Sequence, residues 1–124
     1  MERDATRYAE AWRRACGDAR RREEARAVRA REILPELVRV LVESWGARRI
    51  VLIGSLASGH FRESSDIDLV VEGLSRPTFF DACAAVDRIA GEFRIDVVPL
   101  ESARPFVREL LARGEGQVLY DAKS

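Results

Sequence analysis

Two short apolar runs in the middle of the chain set the strictest limit on its fold. Residues 49–53 (RIVLI) and 67–71 (IDLVV) are too short for helices, and the glycines Gly54 and Gly73 follow them. Apolar runs of this length are typical of strands that are buried in a sheet. Because such strands must be covered on their faces, the sequence predicts an α/β fold with helices packed against the sheet.

Two further segments extend this predicted sheet. Residues 93–100 have the apolar character of a third strand, and residues 117–120 predict a short strand at the edge of the sheet. The expected architecture is therefore a small mixed sheet of three or four strands flanked by helices.

Apolar residues at helical spacing predict four helical regions around the sheet. Residues 2–33 carry one such stripe, and Pro35 suits the first turn of a new helix. Thr78 and Ser102 are the expected N-caps of two later helices. At Gly17 two alternatives stay open, because the first helix can end there or continue through the glycine at a cost of about 1 kcal/mol.

Composition limits the classes of function. With 124 residues, 47% hydrophobic, the chain fits one domain with one core. Its net charge is zero, so no overall charge favours nucleic acid or a membrane, although residues 1–34 carry +3 and residues 35–124 carry −3. Two cysteines are too few for a disulfide framework or a zinc site. No segment resembles a signal peptide or membrane span, so we expect a soluble, cytoplasmic protein.

Three aspartates and a Gly-Ser pair form the motif that indicates a chemical function. Gly54-Ser55 follows the first strand, Asp66-x-Asp68 comes after ten intervening residues, and Asp96 lies in the next strand. Acids at positions i and i+2 of a strand point to the same face and can share bound cations. Magnesium prefers such carboxylate oxygens together with substrate phosphates, and a glycine lets backbone N–H groups approach a phosphate closely.

This spacing resembles the signature of the nucleotidyltransferases of the DNA polymerase beta superfamily, and in particular their minimal (MNT) branch. The resemblance covers residues 35–121. It implies a nucleotidyltransferase fold and transfer of AMP from ATP with two Mg²⁺ ions. Asp66, Asp68 and Asp96 would then be the catalytic and metal-binding residues.

The same resemblance assigns Gly54 and Ser55 to the nucleotide triphosphate, and we count Ser65 among the candidate nucleotide contacts. His60, the one histidine of the sequence, and Arg62 are interpreted as solvated loop residues rather than catalytic groups.

The resemblance also implies a partner protein. Minimal members commonly pair with a small helical HEPN ribonuclease toxin, which the nucleotidyltransferase neutralises as an antitoxin by binding it and adenylylating a Tyr. Two alternatives stay open: a transferase for a small hydroxylated molecule such as an aminoglycoside, and a non-catalytic module that sequesters its partner.

Residues 1–34 lie outside the resemblance and predict a helical extension before a catalytic domain at residues 35–124. Tyr8 and Trp12 lie one helical turn apart, on a face that can dock on the protein's own core, on a second copy or on a helical partner. Nucleic acid is the weaker alternative for this arginine-rich segment. We expect a chain without residues 1–31 to stay folded but to associate more weakly.

Overall fold

The computed structural model describes the backbone of residues 2–124 and the side chains of residues 4–124. Its four α-helices are α1 (Glu2–Glu43), α2 (Gly54–Ser58), α3 (Phe79–Ala90) and α4 (Pro105–Ala112), and its four strands are β1 (Arg49–Ile53), β2 (Ile67–Glu72), β3 (Ile95–Pro99) and β4 (Gln117–Asp121). Two 3₁₀ turns, Arg76–Thr78 and Leu100–Ser102, precede α3 and α4. Among the described residues, no helix is long and apolar enough to cross a membrane.

The strands form one mixed sheet in the order β3-β2-β1-β4. The strand β1 pairs antiparallel with β2 and β4, whereas β2 and β3 run parallel. The parallel pair requires a crossover connection, which α3 supplies. The α/β fold with a four-stranded sheet, including the short edge strand, is therefore confirmed.

Side chains of the central strands alternate between two apolar layers. Ile50 and Leu52 of β1 lie in a larger core that α1 and α3 cover. Val51 and Ile53 point to the opposite face, where Val107 of α4 packs against them. The alternation of side chains along a strand explains this division. Part of the α4 face stays open, because α4 is only eight residues long.

The first helix differs from the sequence prediction at Pro35. A new helix was expected to begin there, but α1 runs without interruption from Glu2 to Glu43, through both Gly17 and Pro35. Proline inside a helix removes one hydrogen bond and crowds the preceding turn. Here Pro35 is exposed, while Leu34 and Leu37 beside it are buried in the core. Burial of this apolar stripe offsets the cost of the proline.

Of the two expected helix caps, Thr78 is the N-cap residue of α3, as predicted, whereas Ser102 is not the N-cap of α4. The helix α3 begins directly after Thr78, but the Thr78 hydroxyl makes no cap hydrogen bond and contacts Ser75 instead. The helix α4 begins at Pro105 after Arg104, so Ser102 is wrong as its N-cap and lies in the preceding 3₁₀ turn. The third strand is shorter than predicted because residues 93 and 94 belong to the turn before it.

The N-terminal part of α1 projects beyond the core. The tightly buried residues of this helix begin at Ala30, which is fully buried, whereas Tyr8 and Trp12 are 77% and 66% exposed. We call residues 4–19 the N-terminal arm. At a helical rise of 1.5 Å per residue this arm is about 24 Å long.

The burial of residues along α1 predicts that a short N-terminal deletion is tolerated better than a longer one. Deletion of residues 1–19 is expected to shift the urea unfolding midpoint little, because the arm contributes little to the core. Deletion of residues 1–31 also removes Ala30 from the core and is expected to lower the free energy of unfolding by more than about 1 kcal/mol; that this shorter chain still folds stays a prediction. Urea unfolding of both truncated chains tests this, and equal midpoints for the two would contradict it.

Candidate functional site

The sheet register brings three aspartates to one face. Asp68 of β2 is paired with Asp96 of β3, and on its other side Asp68 is paired with Ile53 of β1. Asp66 lies two residues before Asp68, just ahead of the strand. Because alternate residues share a face, Asp68 is on the side of Val70, and Asp96 is on the side of Val98. Both valines belong to the α4 face, so the aspartates occupy the open part of that face.

Gly54 permits the close approach of α2 to Asp68. Its φ angle is +78°, and a Cβ atom built on it would overlap the Asp68 carboxylate. A side chain at this position would therefore meet both backbone strain and a steric clash. The glycine lets β1 turn directly into α2, with Ser55 as the second residue of that helix.

The loop between α2 and β2 is anchored at both ends. At its start, Leu56 is buried, and the His60 N–H donates to the Ser55 carbonyl oxygen. At its end, the Ser65 hydroxyl accepts a hydrogen bond from the Arg62 N–H, and the Ser65 N–H donates to the Arg62 carbonyl. The predicted nucleotide contact Ser65 thus has its hydroxyl engaged in a turn that leads into Asp66.

Burial and like charge act together on Asp68. Partial burial is the main cause that raises the pKa of Asp68, from 3.8 to about 6, and the nearby charges of Asp96 and Asp66 add to it. A carboxylate among like charges is stabilised by a cation or a proton. The raised pKa is therefore the electrostatic signature of a group that lacks a counter-charge within the protein.

Asp96 is exposed, although it lies in an otherwise apolar strand. Its neighbours Ile95 and Val97 are buried. The reason is topological, because β3 is an edge strand and its α4-side surface is uncovered at this point. An acceptor molecule can therefore approach Asp96 from solvent.

The carboxylates of this site fit a magnesium ion whose remaining ligands come from water and substrate. Within the described part of the chain, no three His, Cys, Asp or Glu side chains form a ready-made metal cluster. Magnesium usually keeps few protein ligands, one or two carboxylates, and completes its shell with water and substrate phosphates. The half-buried Asp66 and Asp68, with the exposed Asp96 beside them, fit that pattern.

Two residues near the site stay outside the aspartate group. His60 is exposed, and its Nδ1 atom lies 3.2 Å from the Ser58 hydroxyl. Arg62 is exposed as well, with its backbone rather than its side chain in the loop turn. Both belong to a groove of about 360 Å³ between α1 and the loop, and none of the predicted site residues lines that groove.

One residue that contacts this loop was missed by the sequence analysis. Arg26 of α1 donates hydrogen bonds to two carbonyl oxygens of the loop. It lies among many arginines in the helix, and no local pattern distinguishes it from its neighbours. Only the fold brings it to the loop.

Comparisons with known proteins identify the family and the fold of the chain. The family model "Polymerase beta, Nucleotidyltransferase" matches residues 36–124. Among solved structures, the chain is similar to a mutant of the MntA-HpeT toxin-antitoxin, with 21% identity, a TM-score of 0.54 and coverage of 73% of this chain and 72% of that one. It is also similar to a toxin-antitoxin with AMP-PNP, with 22% identity, a TM-score of 0.56 and the same coverage. The search of curated proteins found no match.

The family match spans more than two thirds of the chain and includes the Gly-Ser pair and all three aspartates. The two structural neighbours share the fold at low identity. The chain therefore belongs to the polymerase beta nucleotidyltransferase family, and its class of enzyme is nucleotidyltransferase.

Proposed function

We propose that this nucleotidyltransferase transfers AMP from ATP to a Tyr hydroxyl of a HEPN-type toxin and so acts as its antitoxin in the cytoplasm. The observation that carries the proposal is the group formed by Asp66, Asp68 and Asp96 at the open face of the sheet. The toxin-antitoxin character of both structural neighbours, one of them with AMP-PNP, supports the choice of donor and partner.

The proposed donor site combines the aspartates with the turn after β1. Asp66 and Asp68 would hold two Mg²⁺ ions, with Asp96 as a third ligand on the acceptor side. Bound magnesium would supply positive charge against the triphosphate and the attacking oxygen. The Gly54 N–H and the Ser55 hydroxyl would hold the β- and γ-phosphates and orient the α-phosphorus for attack. Ser65 would contribute to nucleotide binding through the loop turn that its hydroxyl stabilises.

The transfer then requires one proton acceptor and one leaving group. The tyrosine oxygen attacks the α-phosphorus, and the bond from that phosphorus to the bridging oxygen breaks, so that pyrophosphate leaves. In this proposal the exposed carboxylate of Asp96 takes part in removing the tyrosine proton. Its exposure supports an acceptor that arrives from outside the chain.

We propose that the partner contributes the acceptor pocket, because Asp96 is exposed at the edge of the sheet and can be reached from outside the chain. The exposed Tyr8 and Trp12 of the N-terminal arm are candidate contacts for that partner or for a second copy.

Nucleotide binding tests the donor site. Calorimetry is expected to detect ATP binding in the presence of Mg²⁺, and Asp66→Asn/Asp68→Asn is expected to weaken it at least 100-fold because the site then holds no cation. The control is Glu10→Gln/Glu32→Gln, which removes two charges from exposed positions of α1. Equal ATP affinity of wild type and the aspartate variant, with and without metal, would contradict the assignment.

A transfer assay with labelled ATP tests which acceptor the enzyme uses. With labelled ATP and a HEPN-type toxin that forms a complex with this protein, we expect label on a Tyr of the toxin. Asp96→Asn should lower the rate at least 100-fold and leave the unfolding temperature almost unchanged, because this carboxylate is exposed. Label on an aminoglycoside instead would favour a small-molecule transferase. A stable complex with no label would favour a sequestering module, and an unaltered rate in Asp96→Asn would remove Asp96 from the triad.

The raised pKa of Asp68 predicts a pH dependence. Between pH 3.8 and about 6 the folded metal-free protein binds more protons at Asp68 than the unfolded chain. Its stability should therefore fall as pH rises through this range, by about 1 kcal/mol after allowance for solvent screening, and level off above it. Magnesium affinity should rise over the same range. Urea unfolding and calorimetry at several pH values check both, and Asp68→Asn should flatten the stability profile.

A further inference from the structure

The guanidinium of Arg26 lies against two neighbouring aromatic rings. Its guanidinium carbon lies 4.7 Å from the ring centre of Phe61 and 4.9 Å from that of Phe93. The two rings are themselves buried and their centres are 6.2 Å apart. A guanidinium held against aromatic faces is attracted by the ring quadrupoles and keeps a fixed orientation.

The same guanidinium holds the turn that precedes Asp66. Arg26 Nη1 donates to the Arg62 carbonyl oxygen at 2.9 Å and to the Ser65 carbonyl oxygen at 3.3 Å. These two carbonyls bracket the turn that the Ser65 hydroxyl and N–H close internally. Charged donors make the stronger hydrogen bonds in proteins, so Arg26 is the main tie between α1 and this turn.

Asp66 is therefore fixed on both sides. The Ser65 carbonyl that Arg26 holds belongs to the peptide bond that leads into Asp66. On the other side, the Ile67 N–H donates to the Arg94 carbonyl oxygen at 2.9 Å, next to the start of β3. With one flanking peptide tied to α1 and the other tied to the segment before β3, the backbone of Asp66 has little freedom to move.

Other roles for Arg26 fit these contacts less well. No ion pair joins Arg26 to a carboxylate within the described residues 4–124, so it does not serve to neutralise an acid. The guanidinium lies against Phe61 and Phe93, and its Nη1 atom is engaged by two loop carbonyls, which disfavours a direct role as a phosphate ligand.

We propose that Arg26 is a positioning residue for nucleotidyl transfer: it clamps the Arg62–Ser65 turn to α1 and so sets the place of Asp66 relative to Asp68. The inference rests on the proposed function of the aspartates. Displacement of a reacting or metal-binding group by about 1 Å can cost 100-fold in rate, so a clamp on this backbone has a direct chemical consequence. It also makes the middle of α1 part of the catalytic unit, although residue 26 lies before the family match begins.

The test uses three single variants of the full chain. Arg26→Met keeps an unbranched apolar side chain against Phe61 and Phe93 but removes every hydrogen-bond donor of the side chain. Arg26→Lys keeps the positive charge but replaces the planar guanidinium with a compact ammonium group. The matched control is Arg29→Met, one turn along the same helix, where the arginine makes an exposed ion pair with Glu92.

Two measurements are expected to respond together. Hydrogen exchange of the metal-free protein should become at least 10-fold faster at the Ser65 and Ile67 amides in Arg26→Met, while amides in the centre of β1 and β2 stay protected. The affinity for ATP with Mg²⁺ should fall about 10-fold in Arg26→Met and about threefold in Arg26→Lys. Arg29→Met should match the wild type in both measurements.

The possible contrary results separate this proposal from the proposed function. Unchanged exchange at Ser65 and Ile67 in Arg26→Met would overturn the clamp, whatever happens to binding. Faster exchange throughout the sheet would overturn it in favour of a general role in stability. Wild-type nucleotide affinity in Arg26→Met, combined with its loss in Asp66→Asn/Asp68→Asn, would overturn the clamp alone. ATP affinity that does not depend on magnesium or on the aspartates would overturn both proposals.

Discussion

The parallel pairing of β2 with β3 is the interaction on which the site depends. It places Asp68 directly beside Asp96, and the antiparallel pairing on the other side places Asp68 beside the end of β1. A shift of one residue in either register would turn these side chains to the opposite face, into the core under α1 and α3. Burial of Leu69 and Val97 in that core therefore fixes the register and, with it, the position of the carboxylates.

The aspartate group has an electrostatic cost that the surrounding packing must offset. Asp68 is half-buried near two other carboxylates, and the loss of hydration together with their repulsion raises its pKa. Exposed Asp96 on an edge strand limits that cost, because solvent screens its charge. A site with two half-buried acids and one exposed acid is thus a compromise between holding cations and keeping the metal-free protein folded.

The sequence predicted the parts of the structure that depend on local pattern. The strands at residues 49–53 and 67–71, the edge strand and the Gly54 turn follow from apolar runs and glycine, and the aspartates were brought together as expected on one face. The continuous α1 was not predicted, because local preferences at Pro35 favour a helix start and only tertiary burial of Leu34 and Leu37 overrides them. Arg26 could not be found either, since its partners lie more than 30 residues away in sequence.

The continuity of α1 gives the N-terminal arm a definite orientation. Trp12 and Ala30 are 18 residues apart, which is five turns of an α-helix, so both lie on the same side of α1. The side that packs on the sheet through Ala30, Leu34 and Leu37 therefore continues past the core as a side that carries exposed aromatic residues. Because α1 is one continuous helix, Tyr8 and Trp12 stand on the side of α1 that packs on the sheet further along the chain. A molecule that binds this side of the arm is therefore connected through the same helix to Arg26 and to the loop carbonyls that Arg26 contacts.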